Sequence, residues 1–410
     1  MKMETDELRK YAQVILKIGV NLQEGQNLLI RGEPMHWSFF VLLAEEAYSM
    51  GAKYVRVTSQ HPALAKARAN FSSESYLEYV PDYVSSDLKE MIDEAWAIVT
   101  IEGMEDPAAF DDIDKEKHAI IRKTHSRRVQ PFFEHIVGGK CAWCIAPLPT
   151  PKWAALIYDR KATSAARKAL WENLKDVLFL REDDPVARWQ QESALLKERA
   201  QKLNELKLDH LLFKAPGTEL KVGLTPVSKW FGGQFKGARG AHFLPNLPTF
   251  EVFSTPDYRR TSGTVRVTKP VRVLGSEVCG AWFKFLDGRV VEFGAESGRE
   301  LLEHYFKIDE KSQFLGEVAL VDSSSPIYKT GHLFHSILLD ENAACHIALG
   351  RCIPIAVENG TGMSEKELDA AGCNTAIQHT DFMIGSDEID VIGFNENGRF
   401  PIIEKGLFVL

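Results

Sequence analysis

The chain has 410 residues, more than a single hydrophobic core usually organises, so two domains are expected. With 45% hydrophobic and 26% charged residues, its composition is that of a globular protein and excludes a largely disordered chain. The formal net charge of −8 argues against a nucleic-acid-binding surface, because such surfaces depend on clustered Lys and Arg.

The hydropathy pattern predicts a cytoplasmic protein without a membrane anchor. The first ten residues, MKMETDELRK, lack the apolar segment of a secretory signal, and no later apolar run approaches the ~20 residues of a membrane helix. Six cysteines in so long a chain do not indicate a disulfide framework. The motif CAWC lacks a second such pair for a zinc site and does not open a helix, so we interpret Cys141 and Cys144 as structural.

The first part of the chain alternates between helical and strand patterns. Apolar residues from Leu8 to Ile18 recur at helical spacing, and the short strand NLLI follows. A helix over HWSFFVLLAEEAYSM, ended by Gly51, precedes the strand KYVRVTS, and further strands are predicted at AWAIVTI and CAWCIA. Strands that alternate with helices predict an α/β domain with a parallel sheet.

A domain boundary is predicted near residue 185. There the acidic, proline-containing turn LREDDPVARW leads into a long polar helix. Beyond that helix the pattern changes to short β-prone runs bounded by Gly and Pro, namely LLFKA, ELKVGL, GTVRVTKPV, GEVALVD and CHIALG. The predicted fold is therefore α/β with two domains: residues 1–185 with a parallel sheet, and residues 186–410 as an α+β domain with a mixed or antiparallel sheet.

Two further motifs have simple interpretations. The glycine-rich stretch WFGGQFKGARGAH lacks the Gly-Lys-Ser/Thr ending of a phosphate-binding loop, which excludes nucleotide binding there. In GMSEKELDAAG, Ser364 and Glu367 have the spacing of a capping box, and Gly372 is expected to end the helix.

The motif HTD places an imidazole beside a carboxylate. In the strand predicted over NTAIQHTDFMIGS, side chains alternate between faces, so His379 and Asp381 project from the same face. This pair is half of a site for zinc, cobalt or manganese, or a hydrogen-bonded surface pair. In CHIALG the same alternation turns His346 away from Cys345 and Ile347, leaving it either a ligand or a core histidine.

Two glutamates lie within apolar, β-prone segments. Glu251 is in NLPTFEVFSTP and Glu317 is in FLGEVALVD. A carboxylate buried in such a segment is costly unless it is paired or bound to a cation. The alternative for each glutamate alone is an exposed position at the edge of a strand.

These residues occur in an order that resembles a known family. The blocks PGTELKVGL, NLPTFEVFSTPDYRRTSGTV, GEVALVD, LLDENAACHIALG and AAGCNTAIQHTDFMIGS are similar to the metallo-aminopeptidase family of aminopeptidase T and aminopeptidase S. The resemblance extends over nearly the whole chain, with less specific blocks at its start.

The resemblance implies a dinuclear aminopeptidase that removes N-terminal amino acids from peptides with a metal-activated water. Its metal ligands would be Glu251, Glu317, His346, His379 and Asp381, which would hold two divalent ions (Zn²⁺, Co²⁺ or Mn²⁺). It also implies a homodimer and peptide substrates with a free N-terminus. Glu341 is our candidate catalytic base; its alternative role is to orient His346 through a hydrogen bond.

One position departs from the family pattern. Seven residues after the histidine ligand the family usually has a tyrosine before proline, whereas this chain has Ile353 before Pro354. Tyr258, Tyr328 or His335 are candidates to replace that phenol. The departure leaves two alternatives open: a metal-binding relative with impaired catalysis, or a metal-dependent hydrolase of another amide.

Overall fold

The computed structural model describes residues 5–110 and 112–410. The chain divides into two compact units, the first formed by Met1–Gln191 with Gln234–Pro248 and the second by Glu192–Gly233 with Thr249–Leu410. The division falls within one long helix, Pro185–Leu206. The two domains predicted from the sequence, an N-terminal α/β domain over 1–185 and a C-terminal metal-binding catalytic domain over 186–410, stay a prediction. Among the described residues, none of the helices has the length and apolar content that crossing a bilayer requires.

The first unit is an α/β structure, as the sequence predicts. Its strands are β1 (Asn27–Gly32), β2 (Tyr54–Ser59), β3 (Ala97–Glu102) and β4 (Ala142–Pro147), joined later by the short pair β8 (Phe235–Lys236) and β9 (His242–Phe243). The helices of this part of the chain are α1 (Thr5–Val14), α2 (Trp37–Ser49), α3 (Pro62–Phe71), α4 (Tyr83–Asp93), α5 (Lys115–His135), α6 (Pro151–Tyr158), α7 (Ser164–Val177) and α8 (Pro185–Leu206).

Strands β1 to β4 form a parallel sheet in the order β2-β1-β3-β4. The predicted first helix is shorter than expected, because α1 ends at Val14 and a π-helical turn over Ile15–Gly19 follows. Cys141 and Cys144 are buried at β4, and burial raises the pKa of Cys141 to about 12. Thiols this hard to ionise are poor nucleophiles, which agrees with their structural interpretation.

The second unit is dominated by antiparallel strands. They are β5 (His210–Ala215), β6 (Thr218–Leu224), β7 (Phe231–Gly232), β10 (Val252–Ser254), β11 (Pro256–Arg266), β12 (Val271–Val273), β13 (Ser276–Val278), β14 (Trp282–Leu286), β15 (Arg289–Gly294), β16 (Leu315–Leu320), β17 (His346–Gly350), β18 (His379–Met383), β19 (Asp390–Asn395), β20 (Gly398–Glu404) and β21 (Leu407–Phe408). Its short helices are α9 (Arg299–Tyr305), α10 (Pro326–Thr330), α11 (Ile337–Asp340) and α12 (Glu365–Ala370).

These strands form two large antiparallel sheets. One has eight strands in the order β15-β14-β11-β6-β5-β19-β20-β21, and the other has five in the order β18-β17-β16-β10-β7. One core cluster contains residues from both sheets, including Val222, Phe283, Val318 and Ile347. Helix α12 begins with the predicted capping box of Ser364 and Glu367. The five-stranded sheet carries most of the predicted site residues.

Candidate metal centre

Strands β16, β17 and β18 present four of the predicted ligands on one face of the five-stranded sheet. Glu317 pairs in register with Ala348, which pairs in turn with Asp381 across the next strand. His346 precedes Ala348 by two residues and His379 precedes Asp381 by two, so both imidazoles project from the same face as the carboxylates. The predicted alternation along both strands is therefore observed.

A β-bulge sets the position of Glu317. The register of β16 against β17 shifts between Leu315 and Glu317, and the intervening residue is glycine. A Cβ atom on Gly316 would lie 2.2 Å from the carbonyl oxygen of Gly350, so only glycine fits at this point without displacing the backbone. A bulge redirects the side chains that follow it, here the carboxylate of Glu317.

Glu251 comes from a neighbouring strand of the same sheet. It immediately precedes β10, which pairs with β16 through Val252 and Leu320. Glu251 Oε2 lies 3.5 Å from His346 Nε2, and it has no hydrogen-bond partner within the described part of the chain. A buried carboxylate oxygen left without a hydrogen bond is costly, and a cation would satisfy it.

The ligand atoms form two overlapping groups. Glu251, Glu317 and His346 form one group, while Glu317, His379 and Asp381 form the other, and within each group the ligand atoms lie within 4.8 Å of one another. His379 Nε2 is 3.2 Å from both Glu317 Oε2 and Asp381 Oδ1. Glu317 belongs to both groups, so its carboxylate connects them.

Both imidazoles are oriented as metal ligands usually are. His379 Nδ1 donates to the carbonyl oxygen of Arg351 at 2.7 Å, and His346 Nδ1 approaches the carbonyl oxygen of Ala344 at 3.3 Å. A carbonyl oxygen only accepts, so the hydrogen of each neutral imidazole is on Nδ1 and the lone pair of Nε2 faces the carboxylates. The residues present therefore fit a divalent cation.

Electrostatic interactions within the cluster are strong because four of its five members are buried. Burial and the nearby carboxylates of Glu317 and Asp381 raise the pKa of Glu251 to about 7, against the opposing effect of His346. Burial opposes the protonation of both imidazoles, yet the surrounding carboxylates raise the pKa of His346 and hold that of His379 well above its ordinary value. In the absence of a cation the cluster therefore retains protons that a cation would displace.

Glu341 lies in a 3₁₀ turn that follows α11, and it is partly buried. Burial and the negative charges of Glu251 and Asp381 hold the pKa of its carboxyl group well above the ordinary value. Burial and neighbouring negative charges that raise the pKa of a carboxyl group are typical surroundings of a catalytic acid or base.

The next residue, Asn342, has a role that the sequence analysis missed. Its Oδ1 accepts a 2.7 Å hydrogen bond from the N–H of Phe250, the residue before Glu251, and its Nδ2 donates to the carbonyl of Leu338 at 3.1 Å. Nδ2 also lies 3.5 Å from Glu341 Oε1. Asn342 is fully buried, so it ties the chain beside Glu251 to the turn that carries Glu341. An asparagine in a turn is too common for its sequence context to reveal such a contact.

The three side chains considered as replacements for the missing tyrosine have other partners. The hydroxyl of Tyr258 donates to Asp369 at 3.1 Å, and that of Tyr328 accepts from the N–H of Asp387 at 3.1 Å. His335 Nδ1 lies 3.5 Å from Glu277. At Ile353 the hydroxyl of Thr255 contacts the main-chain N–H and C=O, at 3.2 Å and 3.0 Å.

Comparison with known proteins identifies the family. Residues 4–408 match the family described as thermophilic metalloprotease (M29). The chain is 35% identical over 408 residues to aminopeptidase T of Thermus aquaticus, covering 99% of each, and 34% identical over 401 residues to aminopeptidase 2 of Geobacillus stearothermophilus, covering 98% and 97%. The chain belongs to the M29 family of metalloproteases.

A solved structure supports the same assignment. Wild-type AmpT from Thermus thermophilus superimposes with a TM-score of 0.92 at 34% identity, covering 99% of both chains. These findings confirm the resemblance noted in the sequence, the α/β fold class and the enzyme class: the protein is a metallo-aminopeptidase, a hydrolase of the exopeptidase type. Membership of a metalloprotease family implies a divalent metal.

Proposed function

We propose that the enzyme binds two divalent ions at the cluster and removes N-terminal amino acids from peptides. The observation that carries this proposal is the position of Glu317, which belongs to both groups of candidate ligands. On this assignment Glu251 and His346 would hold one ion, His379 and Asp381 would hold the other, and Glu317 would be available to both. Mixed carboxylate and imidazole ligands suit Zn²⁺, Co²⁺ or Mn²⁺.

When bound, such a pair of ions lowers the pKa of a water molecule and polarises the scissile carbonyl group. The role of Glu341 is proton transfer: it would accept a proton from the attacking water and return it to the nitrogen of the leaving peptide. Its raised pKa supports this role, since a carboxylate with a raised pKa is a stronger base toward the proton of a water molecule. Asn342 would fix the position of Glu341 relative to Glu251, because its side chain contacts both Glu341 and the main chain of Phe250.

The proposal extends to the setting in which the enzyme acts. Its substrates would be peptides with a free N-terminus and the chain would act as a homodimer, as the family resemblance implied; the location would be the cytoplasm, as the hydropathy pattern predicted. The relatives are named aminopeptidases, which does not favour the alternative of a catalytically impaired metal-binding protein.

Metal stoichiometry combined with substrate choice tests the proposal. We expect elemental analysis to find two ions per chain in the wild type, and metal-dependent hydrolysis of aminoacyl fluorogenic substrates but not of their N-acetylated forms. Glu317→Gln should lose both ions, whereas Asp381→Asn should retain one. Glu388→Gln, at an exposed position in the same unit, is the control. A single ion in the active wild type, or equal hydrolysis of blocked substrates, would contradict the proposal.

A further inference from the structure

Strand β18 is the last strand of the five-stranded sheet. In the order β18-β17-β16-β10-β7 it pairs on one side with β17, through the register from His346↔Met383 to Gly350↔His379. An edge strand presents main-chain N–H and C=O groups that another extended chain can pair with. This edge therefore lies directly beside the candidate ligands His379 and Asp381.

The hydrogen-bonding pattern shows which residues of β18 face outward. The N–H of Arg351 donates to the carbonyl of Gln378 at 2.6 Å, and the N–H of Ile384 donates to the carbonyl of Cys345 at 2.8 Å. In an antiparallel pair the bonded residues alternate, so the even-numbered residues from 378 to 384 bond to β17. The main-chain N–H and C=O groups of His379, Asp381 and Met383 therefore point away from β17, toward the open side of the sheet.

The outward-facing groups have different surroundings. The carbonyl of Met383 accepts a hydrogen bond from the N–H of Thr268 at 2.8 Å, which ends the open edge at that residue. In the described part of the chain no other main-chain group bonds to the outward-facing groups of His379 and Asp381, and the N–H of Asp381 interacts only with its own carboxylate. His379 is the exposed end of this edge, and Asp381 is 8% exposed. The open edge thus consists of two residues, both of them candidate ligands.

We propose that the first residues of a peptide substrate bind as an added antiparallel strand on the edge of β18. This inference rests on the proposed function. Asp381 is in register with Ala348 and, through it, with Glu317, and all three residues are buried. His379 lies at the exposed end of β18. The substrate's N-terminal residue therefore lies opposite Asp381, and the third residue lies opposite His379, with the rest of the peptide extending into solvent.

This mode of binding would make recognition of the substrate largely independent of its sequence beyond the first residue. Main-chain hydrogen bonds are the same for every residue except proline, so affinity does not depend on the side chains downstream of the cleaved bond. In an antiparallel pair a strand bonds through every second residue. The third residue of the substrate would donate to and accept from His379, and the fourth would point its main chain away from β18.

N-methylated peptides test the proposal, because methylation removes one N–H donor without changing a side chain. In a series of tetra- or penta-alanine substrates, we expect methylation at the third nitrogen to raise KM by about tenfold, the order expected for a lost hydrogen bond with added bulk. Methylation at the fourth nitrogen should change KM by less than about threefold, and kcat should be unchanged in both. Equal sensitivity at the two positions would overturn the proposal.

A binding measurement separates this proposal from the proposed function. A peptide whose first peptide bond is reduced cannot be hydrolysed, and at saturation it should slow amide exchange over residues 378–383 in the metal-loaded wild type. Unchanged exchange in that segment would overturn the added strand even if the enzyme hydrolyses peptides. Protection of the segment without hydrolysis of the parent peptide would support the added strand and count against the proposed activity.

Discussion

Glu317 and Asp381 lie in a single row across the five-stranded sheet, and the residue between them, Ala348, is in register with both. Ala348 is fully buried and its small side chain projects from the same face as the two carboxylates. The row therefore leaves space between the carboxylates that a larger residue would fill.

Ala348→Leu should abolish binding of at least one ion while the chain still folds. Overpacking of this kind costs about 1–3 kcal/mol in stability, and the added side chain would occupy the space between Glu317 and Asp381. Elemental analysis and circular dichroism together test this prediction. Ala348→Gly, which keeps the space open, is the matched control, and full metal content in the leucine variant would refute the assignment.

Glu341→Gln should lower kcat by roughly 10²–10⁴, the usual contribution of a positioned proton-transfer group, with metal content unchanged. The amide has nearly the same shape as the carboxyl group but cannot carry the proton. Steady-state kinetics on an aminoacyl substrate tests this, with Glu388→Gln as the exposed control. If kcat is retained and metal affinity falls instead, Glu341 orients His346 and is not the base.

Asn342→Leu should destabilise the protein by about 1–3 kcal/mol, because the buried N–H of Phe250 loses its 2.7 Å acceptor. Asn342→Asp keeps an acceptor for that N–H and should cost less, although it cannot donate to the carbonyl of Leu338. Urea unfolding measures both changes. Equal stability of the leucine variant and the wild type would show that Asn342 does not hold the two segments together.

The affinity for metal should fall as the pH is lowered through about 7. Glu251 has a pKa of about 7 in the metal-free protein, so below that pH it is mainly protonated and must lose its proton before it can bind a cation. Above that pH Glu251 is mainly a carboxylate, and the remaining competition comes from protons on His346 and His379, whose pKa values are also raised. Competition with a coloured chelator at pH 6, 7 and 8 tests the prediction, and a constant affinity across this range would contradict it.

Ile353→Tyr should raise kcat by about 10²-fold if a phenol at this position stabilises the transition state as one oxyanion donor does. The substitution is feasible because the hydrogen bonds between Ile353 and Thr255 use main-chain atoms of Ile353, and its side chain is partly exposed. Ile353→Leu is the control for a change of shape alone. No gain over the wild type would show that the enzyme does not use a phenol at this position.

Much of the local structure could be predicted because it depends on neighbouring residues. The alternation of His379 and Asp381 follows from the period of a strand, and the capping box of Ser364 and Glu367 follows from the geometry of a helix start. The parallel sheet of the first unit followed in the same way from strands that alternate with helices. The set of five candidate ligands came from a family resemblance and not from these patterns.

Contacts between distant segments were decided only by the tertiary structure. Glu251 meets His346 because β10 pairs with β16 and β16 with β17, and no local pattern specifies which strands become neighbours. Likewise, no local pattern specifies the hydrogen bond between the N–H of Phe250 and the side-chain amide of Asn342. The sequence by itself determined the faces of the strands, since these follow from chain geometry. The fold decided which faces and which side chains meet, because pairing depends on how the whole chain buries its apolar surface.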